Sequence, residues 1–302
     1  ALAFDSDVVA SVIQNVDVLR EAFKRAMRET ALQYLQWARG RDDKSKERAV
    51  EHFNDKKLRE EFYREFKQIQ TLYTILSPDP ELRPFIEDYQ ALAELYGWVR
   101  AWFEARPYRD EEVTEKTKRL LREHTSAYNL QMPSEIRELG PKELAALKAS
   151  DASDTVKVLN LSKVLARVVA DEAGNKPFLL PIGERAEAVR QQYENRQLNT
   201  QQALAEFEKL AEETVRADAE RAKMGLDGNA YAIFKTLEPM HIKITPAQAQ
   251  SLNAVFARFS DYQWNEQQKT QLRAELYHTL LDVVGKDKLI QAANALLSLQ
   301  RV

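Results

Sequence analysis

Two runs of cations have the residue types and the density needed to hold phosphates. Arg39, Arg41, Lys44, Lys46 and Arg48 make the first, and Lys116, Lys118, Arg119 and Arg122 the second. Each cation that neutralises a phosphate releases a counterion, which makes such runs the expected chemistry of a duplex contact. Acids interrupt both: Asp42, Asp43 and Glu47 in the first, Glu115 and Glu123 around the second. Two readings therefore stand together, a phosphate contact and a solvated helix face of mixed charge. The net charge is −3, from 44 basic and 47 acidic residues, so no field of the whole molecule draws nucleic acid and any such contact is local.

Other constellations fall short of chemistry. Gly285-Lys286-Asp287 lacks the leading glycine and the hydroxyl of a phosphate-cradling loop, and reads as a helix C-cap after Leu280, Leu281 and Val284. Glu275 and His278 have a helical ligand spacing, but His52, His124 and His241 are far away in sequence, and a metal needs three or four convergent ligands. Adjacent acids such as Asp42-Asp43 serve helical prenyl-transfer enzymes, yet Lys44, Ser45 and Lys46 follow where more carboxylates would be needed. Pro78-Asp79 and Glu65-Phe66-Lys67 run in the wrong order for a metal-dependent nuclease and sit in helical or proline-rich context. No nucleophile, base and oxyanion donor assemble, so neither a catalytic site nor a cofactor or metal site is expected in this chain. Tyr89, Tyr96, Trp98, Trp102 and Phe103 resemble a base-stacking platform in composition, but their helical spacing assigns them to a core.

The elements that carry these residues are helical. A composition with 44% hydrophobic residues, 30% charged residues and only 8 glycines suits long amphipathic helices. The chain has no cysteine, which removes disulfides, thiolate zinc sites and a cysteine nucleophile and fits a reducing compartment. It has no apolar run of about 18 residues and no secretory signal, so a cytoplasmic, non-membrane protein is expected. It also opens without methionine and reaches a cap at Asp5, Ser6 and Asp7 almost at once, which predicts a piece of a longer polypeptide.

Apolar spacing predicts a first helix to about Trp37 and a charged break over 40–46. A second long helix follows with Leu58, Phe62, Phe66, Ile69, Tyr73 and Leu76. Pro78, Pro80 and Pro84 fix a rigid turn. A third helix carries Ile86 to Phe103, and a fourth is capped by Asp110 and carries Val113, Thr117, Leu120 and Leu121. Met132-Pro133-Ser134, Gly140-Pro141 and the small polar run to Ser153 end this periodicity. Residues 1–127 are expected to form a helical spacer, 128–153 a linker, and 154–302 a C-terminal helical docking domain. Further helices are expected at about 154–173, 182–197 and 200–223. Thr245-Pro246-Ala247-Gln248 spells a capping box, and Asn265-Glu266-Gln267-Gln268 repeats it. His241 to Ile244 alternates like a short strand. The expected class is all-α: an extended helical bundle followed by a second, mostly helical domain.

Several stretches resemble a known family. They are Phe4-Asp5-Ser6-Asp7 leading into Ile13-Gln14-Asn15-Val16-Asp17-Val18-Leu19, then Leu76-Ser77-Pro78-Asp79-Pro80-Glu81-Leu82-Arg83-Pro84-Phe85, then Leu92-Ala93-Glu94-Leu95-Tyr96. They are similar to the helical region that follows the helicase lobes in the R subunit of type I restriction enzymes. Glu187 to Arg196, with Met224-Gly225-Leu226 and Tyr231-Ala232-Ile233-Phe234, are similar to that subunit's C-terminal domain. The likeness spans nearly the whole chain, and the proline-rich turn is its most specific part. It implies a C-terminal portion of a subunit that is a nuclease and an ATP-driven DNA translocase. In that family ATP and Mg are handled by other parts of the subunit, and this portion joins the motor to the methyltransferase and specificity subunits. Duplex DNA as a direct partner and a free-standing helical adaptor are the alternative readings.

Overall fold

In the computed structural model residues 6–40, 42–104, 134–281 and 283–299 are described, and the fold is all-α. The helices are α1 Ser6–Ala38, α2 Asp43–Phe53, α3 Lys56–Leu76, α4 Ile86–Phe103, α5 Pro141–Ala149, α6 Asp154–Glu172, α7 Leu180–Glu194, α8 Thr200–Met224, α9 Gly228–Leu237, α10 Pro246–Ala257, α11 Glu266–Leu281 and α12 Lys286–Leu297. Short 3-10 turns at Pro80–Phe85, Pro177–Leu179 and Glu238–Met240 lead into or out of them. The chain divides into two compact units, the first Ala1–Glu135 with Ser150–Asn160, the second Ile136–Ala149 with Leu161–Val302. No helix among the described residues is long and apolar enough to cross a membrane.

Unit 1 is built around α4. Tyr89, Leu92, Ala93, Leu95, Tyr96, Trp98, Val99 and Trp102 are buried on most of its faces, and α1, α2 and α3 pack on it. The partners show the spacing expected of a single apolar stripe: Phe23, Met27, Thr30, Tyr34 and Ala38 on α1, and Phe62, Phe66, Ile69, Tyr73 and Leu76 on α3. Rings meet face to face at the centre, Phe66 on Tyr96 at 4.7 Å and Tyr73 on Tyr89 at 4.3 Å between centroids. The aromatic row of α4 is therefore core, as its spacing predicts.

The proline-rich turn is anchored by charge. The Asp79 carboxylate accepts from the Glu81 backbone amide at 2.9 Å and from Arg20 Nε at 2.7 Å. Both contacts hold its pKa below the usual carboxylate range, the backbone amide first. Arg20 also reaches Asp17, and Lys24 binds Glu21 and Glu81, so the most family-like motif of the sequence fastens the turn to α1.

Unit 2 closes the N-termini of two of its helices with reciprocal caps. Asn199 and Gln202 form a reciprocal capping box at α8, and Thr245 and Gln248 form the predicted one at α10. Gly225 takes φ +63° beyond α8, where the Leu226 amide reaches back to Arg221 O at 3.2 Å. Gly228 opens α9 so tightly against the backbone of Asn175 that an added Cβ would lie 1.9 Å from its carbonyl oxygen. The helices pack in sequence-adjacent pairs, α7 on α8, α9 on α10 and α11 on α12, with α5 on α8.

Several expectations need correction. The charged stretch read as a break contains the start of α2, because Asp42 caps it by accepting from the Ser45 amide. Within 128–153, residues 141–149 form α5, a helix with only Leu144 and Leu147 buried and tied to α8 by Lys148, which binds Glu208 and Glu212. Gly285 has φ −57° and precedes α12 as its N-cap, so the C-cap reading fails. Asn265 does accept from the Gln268 amide at 3.1 Å, but the Gln268 side chain turns to the Asp261 amide at 3.0 Å, so that box is half made. His241 to Ile244 form no strand: His241 sits at φ +56°, and Ile242 and Ile244 are buried beside exposed Lys243 with no strand to pair with among the described residues. The helix expected from Asp110 lies outside the described residues.

Candidate partner and nucleic-acid surfaces

The first basic run sits where α1 passes into α2, and the structure disperses it. Arg39 Nη2 donates to Asp88 at 2.6 Å, tying the end of α1 to the first turn of α4. Lys46 points inward, only 8% exposed, with its ammonium 5.9 Å from the ring centre of Trp98. Arg48 donates to Ser45 Oγ at 3.1 Å. The same hydroxyl and the Ser45 amide donate to Asp42, whose pKa they lower, the hydroxyl most. Lys44 and Arg48 remain exposed one turn apart on α2, among exposed Asp42, Asp43 and Glu51. Arg41 and the second run, Lys116, Lys118, Arg119 and Arg122, lie outside the described residues.

Several cations elsewhere are paired with acids. Arg185 holds Glu213 at 2.6 Å, Arg190 holds Glu187 at 2.6 Å and Glu194 at 2.5 Å, and Arg258 holds Glu275 at 3.2 Å. This last pair takes up the carboxylate of the Glu275/His278 spacing. Inside unit 1, Arg59 is buried and closes the C-terminal end of α2, donating to Phe53 O at 2.8 Å and Asn54 O at 3.0 Å with its guanidinium 4.3 Å from the Phe103 ring centre. Among the described residues, no group of three or more His, Asp and Glu converges as a metal would require.

One surface feature carried no signal in the periodicity. Trp264 is 89% exposed in the turn between α10 and α11. It follows the apolar register of α10 and precedes the cap Asn265, so no helical stripe claims it; only its isolation between polar residues marks it in the sequence. The turn around it is well tied down. The Trp264 and Asn265 amides both reach Asp261 O at 2.9 Å, Gln268 accepts from the Asp261 amide, and Tyr262 is buried edge-on to Phe256, its hydroxyl 3.4 Å from Leu299 O.

A family model described as type I restriction enzyme HindI endonuclease subunit-like, C-terminal, matches residues 4–281. The chain belongs to this family. No match is found among curated proteins or among solved structures. The match takes in all of unit 1's described helices and unit 2 through α11, so both surfaces described above fall within the C-terminal region of the type I restriction subunit family.

Proposed function

We propose that this chain is the part of a type I restriction R subunit that docks the motor onto the methyltransferase and specificity subunits, with residues 1–127 as spacer and 154–302 as docking domain. The family match over residues 4–281 is the observation that carries this reading. The surface chemistry agrees with it at the sites where cations are held by neighbouring acids, Arg39 by Asp88, Arg185 by Glu213 and Arg190 by Glu187, as on a solvated face of mixed charge. In this reading ATP, Mg and bond cleavage belong to other parts of the subunit, and the site of action is the cytoplasm.

The test is binding of the purified chain to a purified methyltransferase–specificity core, followed by sedimentation. A stable complex supports docking, and failure to bind under conditions where the intact R subunit does would overturn it. Direct duplex contact is the second reading, favoured by exposed Lys44 and Arg48 on one face of α2. It requires a DNA affinity that falls steeply with salt and weakens in K44A/R48A.

A further inference from the structure

We infer that Trp264 and its turn form the anchor by which unit 2 engages a protein partner, seating the indole in an apolar pocket whose rim supplies hydrogen-bond donors and basic side chains. This rests on the docking reading above and names the surface that would do it.

Three observations carry it. The first is exposure: an indole left 89% in water is a large apolar surface, while Tyr262, two residues earlier, is buried. The second is rigidity. Asp261 O accepts two amides of the turn, and Gln268 of α11 holds the Asp261 amide. Arg258 grips Glu275 of α11, and Tyr262 reaches the end of α12. A tryptophan presented on a turn already ordered loses little conformational freedom on binding, which is what makes such residues the centres of interfaces. The third is charge. Residues 259–268, Phe-Ser-Asp-Tyr-Gln-Trp-Asn-Glu-Gln-Gln, hold two acids, four amides and no cation, and the flanking cations Arg258 and Lys269 are held by Glu275 and Glu266. A stacking site for nucleic acid surrounds its aromatics with cations that track the backbone. This turn does the opposite, so it suits a protein pocket edged with donors and cations and is unsuited to a polyanion.

The chain has four tryptophans, Trp37, Trp98, Trp102 and Trp264, and only the last lies in unit 2. With 5-fluorotryptophan incorporated into the chain, the fluorine resonance lost in W264F is that of Trp264. On titration with unlabelled methyltransferase–specificity core, this resonance is expected to shift while the other three stay in place, and W264A is expected to weaken binding at least tenfold with an unchanged helical spectrum. W264F, which keeps a smaller ring, should recover part of the loss. Binding of wild-type chain and W264A with equal affinity overturns the inference and leaves docking intact. No binding by wild-type chain, where intact R subunit binds, overturns both. A W264A effect on duplex affinity, or a wild-type dimer that W264A dissolves, overturns it in favour of nucleic acid or of a second copy of the chain.

Discussion

Among the described residues, ten aromatic side chains are buried in unit 1 (Phe23, Tyr34, Phe53, Phe62, Phe66, Tyr73, Tyr89, Tyr96, Trp98 and Trp102) and five in unit 2 (Phe178, Phe207, Tyr231, Phe256 and Tyr262). Helix ends show the reverse bias. Unit 1 begins α2, α3 and its proline turn with aspartates, Asp42, Asp55 and Asp79, whose carboxylates accept a backbone amide. Unit 2 has reciprocal boxes at Asn199 and Thr245. Large rings fix how helices lie against one another, whereas reciprocal caps satisfy the free amides at a helix start, and the two units lean on these devices to different degrees. Three rings also carry a penalty: Trp37 Nε1, Tyr63 OH and Trp102 Nε1, all in unit 1, are buried without a hydrogen-bond partner among the described residues.

The sharpest way to break this comparison is Phe66→Ala, which empties the ring stack between Tyr89 and Tyr96. A loss of about 3–5 kcal/mol is expected for a buried phenylalanine. In a W264F background all remaining tryptophans lie in unit 1, so their fluorescence in urea reads that loss directly. Thr245→Ala should cost about 1 kcal/mol, typical of a lost N-cap. Hydrogen exchange of the first amides of α10 would show it, and a cost equal to that of Phe66→Ala would dissolve the contrast between rings and ends.

The smallest effect concerns pH. His52 stacks on Trp37 at 4.7 Å and meets Phe53 edge-on, with Asp55 the nearby acid. Burial lowers its pKa from the ordinary 6.5, outweighing the opposite pull of Asp55. The unfolded chain then binds the proton more readily than the folded one. The stabilisation is present above pH 6.5 and is lost as pH falls below it towards the folded-state pKa. Unfolding of His52→Phe should lack this slope, and a slope that survives the substitution would assign it to another group.

What was readable in the sequence follows the same division. Long stripes such as Phe62 to Leu76 repeat often enough to declare a helix and its buried face, and the Thr245 box is spelled by adjacent residues. Residues 141–149 are too short for a repeat to accumulate, and Lys148 reaches its partners on α8 about sixty positions away. Lys46 and Trp264 show the limit at single residues. A lysine within a basic run reads as solvated until Trp98 is brought beneath it, and a tryptophan reads as core until the turn holds it outward. The half-made box at Asn265 belongs with these, since Gln268 had a competing partner in Asp261 that no local rule names.

The fit of Gly228 against Asn175 has a consequence for the rate at which unit 2 comes apart. The two residues are far separated along the chain, and their contact is made by backbone that no side chain can cushion. Contacts of that kind close a long loop and tend to form after the helices on either side. Crowding this point with an alanine methyl would then leave the refolding limb of a chevron almost unchanged and steepen the loss on the unfolding side. The durability of unit 2, as distinct from its equilibrium stability, would rest on one missing carbon.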